Sequence, residues 1–377
     1  MTSDLRPHTA AAPAPWPVRP AAERLPEAAS RYTLPSIPYL RLRCTLRALD
    51  HARLPAYKGS LLRGAFGHAL RRAVCAFGPQ QACASCRLRR ACVYTGLFET
   101  FIEDEPPPFL RGLPTSPRPY IFEPRGQDRD LPPGSALDFD LLLIGQAVDH
   151  QAYALLALER MAAGGLGRER YRFEFEQART LGADGEWREA DPRRPATPLM
   201  AGATIARAAA DSTPASANRE AAALAEASET PHPAGSAVAQ DIPPAQATLH
   251  FLTPTRIKIR DRLAPSIGPR PLVFAMLRRI LELAHFHVPG AQLDWSFHPL
   301  LDHASAIRVQ AADLRWHDWQ RYSNRQQTKM FLGGFVGNLH LAGDLAPLWR
   351  LLRAAEVLHV GKGATFGLGK FAIGAPS

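Results

Sequence analysis

Residues 39–46 read Tyr39-Leu40-Arg41-Leu42-Arg43-Cys44-Thr45-Leu46. Every second position is apolar, the pattern of a strand with one buried face. Cys44 falls on that face and is expected to be a small buried hydrophobe. The period then changes. Leu61, Leu62, Ala65, Phe66, Ala69 and Leu70 recur three and four apart, which predicts a helix over 60–74 with Arg63, His68, Arg71 and Arg72 largely off its apolar stripe. Strands are predicted over 119–122 and 136–144, then a helix capped by Asp149 and running to 161. Strict alternation over 170–176 predicts another strand. A second block repeats this order. Its strands are expected over 248–259 (interrupted by Pro254), 306–316, 331–341 and 366–373. Its helices are expected over 271–286 and from a cap at Asp344 to 356.

The repeated β-α-β-β-α-β order predicts an α+β fold of two tandem ferredoxin-like domains, residues 36–180 and 246–377. Two stretches lack either period. Residues 1–35 are rich in Pro and Ala and read as a disordered tail, and 181–245 as an Ala/Pro-rich linker or insertion. A chain of 377 residues has room for two cores of ordinary size, and a hydrophobic fraction of 46% excludes full disorder. No apolar run approaches the ~18 residues of a membrane span. Met1 to Ser30 holds no continuous apolar segment of the secretory kind, so a cytoplasmic location without a membrane partner is expected.

The net charge is +10, and residues 246–377 alone hold 16 Lys+Arg against 8 Asp+Glu. This excess suits a polyanionic partner such as nucleic acid; a GC-rich genome accounts for an Arg- and Ala-rich composition equally well. Four of the five cysteines lie within 18 residues, as Cys75-x7-Cys83-x2-Cys86-x5-Cys92. A close thiolate pair with two flanking thiolates can complete a tetrahedron around zinc, and Arg87, Arg89 and Arg90 would favour thiolate. Four thiolates also suit an iron–sulfur cluster, and unligated or redox cysteines are the third reading.

The segment His359-Val360-Gly361-Lys362-Gly363-Ala364-Thr365-Phe366-Gly367-Leu368-Gly369-Lys370 is the most distinctive in the chain. Closely spaced glycines let a backbone approach a phosphate chain, with charge from Lys362 and Lys370 and a stacking ring in Phe366. It lacks the Lys-Ser/Thr of a Walker loop. It follows a helix and opens a strand, the reverse of a dinucleotide loop. The plainer reading is a flexible turn. Upstream, Trp316, Trp319 and Tyr322 interleave with Arg321, Arg325 and Gln326, which suits stacking and hydrogen bonding to RNA; a polar strand end packed by tryptophans is the other reading.

Together these features resemble the RAMP superfamily of CRISPR-associated proteins, more narrowly its precursor-CRISPR-RNA-processing endoribonucleases. Gly59-Ser60-Leu61-Leu62-Arg63-Gly64-Ala65-Phe66-Gly67, the cysteine cluster and Tyr94-Thr95-Gly96-Leu97-Phe98-Glu99 carry the likeness in the first block. In the second it rests on Arg321 to Gln326, Gly333-Gly334 and His359 to Lys362. The resemblance implies RAMP/RRM-like domains and cleavage of CRISPR repeat RNA without a catalytic metal. A 2′-hydroxyl attacks the adjacent phosphate, leaving 2′,3′-cyclic phosphate and 5′-hydroxyl ends. It implies catalytic groups near the first helix: His68, Tyr57 and Lys58, with His51 on the preceding loop and His317 and His359 as rivals from the second domain. Arg63, Arg321, Arg325, Gln326, Gly361, Lys362, Gly363, Thr365, Phe366, Gly367, Gly369 and Lys370 would contact RNA. Zinc on Cys75, Cys83, Cys86 and Cys92 would be structural. Other CRISPR effector subunits are possible partners. A non-catalytic guide-RNA-holding subunit is the alternative within the superfamily, and a zinc-containing protein-interaction module the alternative outside it.

Overall fold

The computed structural model describes residues 32–78, 80–193, 196–201, 243–318, 320–323 and 328–374. The N-terminal half runs β1 (Ile37–Ala48), β2 (Ala52–Arg53), α1 (Gly59–Val74), β3 (Tyr120–Pro124), β4 (Asp130–Leu131), β5 (Ala136–Ile144), α2 (Gln151–Gly164), β6 (Phe173–Leu181), β7 (Trp187–Glu189) and β8 (Leu199–Ala201). Its sheet has the order β3-β5-β1-β6-β7, all antiparallel, with β8 also pairing with β1. The C-terminal half runs β9 (Gln246–Thr255), β10 (Lys258–Ile259), β11 (Arg262–Leu263), α3 (Pro269–His287), α4 (His298–Ala306), β12 (Arg308–His317), β13 (Gln320–Ser323), β14 (Thr328–Phe331), β15 (Gly334–Ala342), α5 (Ala346–Leu358) and β16 (Phe371–Gly374). Its sheet order is β12-β15-β9-β16. In both sheets the first strand lies between the third and the fourth, as a split βαβ arrangement requires.

Alternation along β1 assigns its two faces. Leu40, Leu42, Cys44 and Leu46 join the core under α1 and α2, and Cys44 is fully buried as expected. The opposite face of this sheet is not a solvent face. Ile121, Leu142 and Ile144 join one continuous apolar cluster with α3, α5 and the C-terminal sheet. On that same face β1 carries Arg41 and Arg43, β3 carries Glu123 and β5 carries Asp138 and Asp140.

Several boundaries differ from expectation. The stretch 181–245 is not wholly a linker, because β7 and β8 both join the first sheet. Asp149 does not cap α2: a 3-10 turn, Gly145–His150, leads into the helix and takes up its first N–H groups. Asp344 does cap α5, accepting the Ala346 N–H at 3.1 Å. The final strand starts at Phe371 rather than 366, because Gly367 and Gly369 adopt positive φ (84° and 71°), which is incompatible with a strand. The helix α4 was not anticipated. Among the described residues, no helix is long and apolar enough to cross a membrane.

Candidate active site

The glycine-rich loop leaves α5 and packs against the N-terminal domain. Gly361, Gly363, Gly367 and Gly369 all sit at left-handed φ, between 71° and 86°. A Cβ on Gly367 would lie 2.4 Å from the Phe122 carbonyl oxygen, and one on Gly369 1.8 Å from that of Val360. The glycines therefore serve the loop's own folding and its approach to β3. This differs from an open backbone cradle. The N–H groups of Val360, Lys362, Phe366, Gly367 and Gly369 are already bonded to protein carbonyls. The Tyr57 hydroxyl donates to the Phe366 carbonyl, and the Thr253 hydroxyl donates to that of Gly367 at 2.8 Å. Gly59 opens α1 because a Cβ there would strike the Phe366 carbonyl oxygen. Thr365 and Phe366 remain half-buried and Lys362 exposed.

Beneath the loop lies a buried charge cluster. Glu123 accepts from Arg41 at 3.0 Å, from Lys370 at 2.6 Å and from the His359 imidazole at 3.1 Å. Arg41 also reaches Asp140 at 3.2 Å. Burial pushes the Glu123 pKa up, but Arg41, Lys370 and His359 outweigh it and hold the carboxyl well below its ordinary range. Lys370, expected on RNA, spends its charge on Glu123. His359 is fully buried, with its second ring nitrogen facing the Leu368 carbonyl at 3.1 Å. Burial lowers its pKa more than Glu123 raises it. It ties the domains together and is closed to substrate.

The N-terminal candidates separate into two places. Tyr57 and Lys58 stand at the start of α1, against the loop. Burial raises the Tyr57 pKa and lowers that of Lys58, whose ammonium donates to the Ala56 carbonyl at 3.3 Å. The Arg63 guanidinium lies 4.1 Å from the centre of the Phe98 ring and 5.7 Å from that of Phe366. His68 is ten residues beyond Lys58, roughly 15 Å along the helix axis. It is exposed, and among the described residues it has no hydrogen-bond or ion-pair partner. Gly64 and Arg72, four residues to either side, share its face. A Cβ on Gly64 would meet nothing within 4 Å, and Arg72 is exposed. His51 pairs with Asp130 at 3.0 Å, and His317 is exposed at the end of β12. Arg321 lies on β13; Arg325 and Gln326 fall outside the described residues.

Cys75 ends α1, and Cys83 and Cys86 flank a 3-10 turn in which the Cys86 N–H bonds the Cys83 carbonyl at 3.2 Å. Burial raises the Cys83 thiol pKa; Arg71 lowers it, and Glu99, Cys92 and Cys75 add to the rise, so three of the four cysteines share one neighbourhood. Among the described residues, no three metal-ligating side chains converge as a formed site.

The charge cluster was missed at the level of sequence. A signal was present: Arg41, Arg43, Asp138 and Asp140 occupy the alternate positions of two strands that also carry apolar alternation. Such charges read as a solvated face until a second domain is known to cover them.

A family model described as CRISPR-associated endoribonuclease Cas6 matches residues 249–371. The C-terminal third of the chain is therefore similar to the Cas6 endoribonucleases. The match supports an endoribonuclease that processes CRISPR repeat RNA. A second family model, described as an N-terminal domain, matches residues 37–197. No curated protein matches the chain. Among solved structures, a partial Cas6-RT-Cas1–Cas2 complex aligns with a TM-score of 0.50 and 15% identity, over 91% of this chain and 46% of that one. A Cas6 product complex aligns with a TM-score of 0.48 and 16% identity, over 89% and 99%. Thermus thermophilus Cas6 aligns with a TM-score of 0.43 and 15% identity, over 90% and 98%.

Proposed function

We propose that the chain is a Cas6-type endoribonuclease that cleaves repeat RNA along the exposed stripe of α1, with His68 as the proton-transfer group. The observation that carries this reading is that His68 is exposed and unengaged among the described residues. Tyr57, Lys58, His51 and His359 each already bond a protein group. Gly64 leaves room for a backbone on one side of the imidazole, and Arg72 on the other side offers a cation for the charge that builds on the phosphorane. The substrate's own 2′-hydroxyl gives its proton to the His68 imidazole and attacks the adjacent phosphorus; the P–O5′ bond breaks and the 5′-oxygen takes a proton from water, giving 2′,3′-cyclic phosphate and 5′-hydroxyl ends. Arg63 and Lys362 hold the phosphate chain near the loop, with Thr365 and Phe366 beside them. The two tandem ferredoxin-like domains act as one platform because Glu123 and the loop join them.

The cysteine segment is proposed to bind one structural zinc ion, supported by the spacing Cys75-x7-Cys83-x2-Cys86-x5-Cys92. Four thiolates would leave no open position for water, so zinc is assigned no part in cleavage. Repeat RNA is the partner, and other CRISPR proteins are further candidates.

The test is single-turnover cleavage of a repeat RNA. His68→Ala should slow cleavage by ~10²–10⁴, while a 2′-deoxy group at the scissile nucleotide abolishes it with binding retained. Cleavage of the 2′-deoxy substrate, or a requirement for added Mg²⁺, would overturn the mechanism. Loss of less than ~10-fold in His68→Ala would move the proton transfer to Lys58 or Tyr57.

A further inference from the structure

Among the described residues outside the loop, the β10–β11 hairpin carries a dense group of positive side chains. Arg256, Lys258, Arg260 and Arg262 stand within seven residues, opposed by Asp261 alone. Lys258, Arg260 and Arg262 are exposed. Lys258 has a weak pairing with Asp261 at 3.6 Å, and Asp261 is itself 99% exposed. Among the described residues, Arg260 and Arg262 have no hydrogen-bond or ion-pair partner.

The turn is built at a cost. Arg260 and Asp261 both adopt positive φ, 48° and 63°, as a two-residue hairpin of this twist requires. Glycine or asparagine fills such positions cheaply; arginine does not. The chain thus accepts strain to place an arginine at the tip.

The hairpin is also joined to the glycine loop. The Lys362 N–H donates to the Arg256 carbonyl at 2.8 Å, and a Cβ on Gly361 would lie 2.6 Å from the same oxygen. The exposed Lys362 therefore continues the hairpin's charge onto the loop. Among the described residues the buried Nε of Arg256 has no hydrogen-bond partner, and burial lowers its pKa against the pull of Asp318.

We propose that the β10–β11 hairpin is a phosphate-gripping finger that holds the RNA backbone beside the glycine loop, independently of base sequence. This rests on the RNA-processing reading above and adds a binding surface to it. The contacts are charge to phosphate, because no aromatic ring and no amide side chain stands on the hairpin to read bases.

The test is equilibrium binding of a repeat RNA, and of a scrambled RNA of equal length, across a salt series. Replacing Arg260 and Arg262 together with Gln should weaken both RNAs about tenfold and lower the salt slope by about 1.4–1.8, at roughly 0.7–0.9 per lost phosphate contact. Asp261→Asn, which suits the left-handed turn, should tighten binding of both. Thermal unfolding of each variant, unchanged from the parent, shows that the fold is intact. Unaltered affinity and slope, a loss confined to the repeat sequence, or weaker binding by Asp261→Asn would each overturn the proposal. A parent protein that binds with this salt dependence but does not cut would sink the cleavage reading and leave the finger standing.

Discussion

Replacing Glu123 with Gln tests whether the buried cluster holds the two domains together. The side chain keeps its shape and loses its charge. Arg41 and Lys370, 3.0 and 2.6 Å away, then face an uncharged amide. Removing one partner of a buried ion pair typically costs ~3–5 kcal/mol. Here the low end applies. Arg41 keeps Asp140 at 3.2 Å, and the Lys370 side chain, 19% exposed, can turn towards water. A loss of about 3 kcal/mol corresponds to roughly 6–12 °C in Tm, at about 2–4 °C per kcal/mol for a domain of 150–250 residues. The assay is thermal unfolding followed at several pH values. Glu123 has a depressed folded pKa, so its contribution is complete above the ordinary value of 4.5 and is lost as pH falls below it towards the folded pKa. The difference between parent and variant should therefore be constant from pH 7 to about 5 and shrink at lower pH. A second arm uses Lys370→Met, where the added cost of Glu123→Gln should fall by about 1–3 kcal/mol if the two groups are coupled. A Tm loss under about 2 °C at pH 7, or the same loss with and without Lys370, would refute the reasoning.

Elemental analysis of the purified protein should find about one zinc per chain, lost in the Cys83→Ser, Cys86→Ser double variant; visible absorbance with stoichiometric iron would favour a cluster, and no metal would remove the site. Cleavage should survive EDTA treatment, read as product formed with and without chelator. Gly367→Val should lower Tm before any selective RNA defect emerges, because its Cβ would meet the Phe122 carbonyl at 2.4 Å in a left-handed conformation; a stable variant with a pure RNA defect would restore the open-cradle view. Lys362→Ala, by contrast, should leave Tm unchanged and lower the salt slope of RNA binding by about one contact.

Alternation in β1 and the three-and-four spacing in α1 are local consequences of burying one face, so both elements were legible before any fold was known. The repeated order of elements led from there to two ferredoxin-like sheets, and the strand orders agree with it. The glycine loop was legible as a constrained segment, since four glycines in nine residues signal special backbone conformations. The reason for the constraint was not. Only the tertiary structure brings Phe122 and Gly59 against the loop, from residues more than 200 positions away. It also decides what the charges do. Lys370 and Lys362 look equivalent along the chain, yet one is consumed by Glu123 while the other reaches solvent. His68 and His359 separate in the same way, one on a helix face that no described residue covers and the other sealed beneath the loop. Periodicity reports which residues are buried within a domain. It carries no information about which face a second domain will cover, because those contacts depend on long-range docking, and there the partners of each charged side chain are settled.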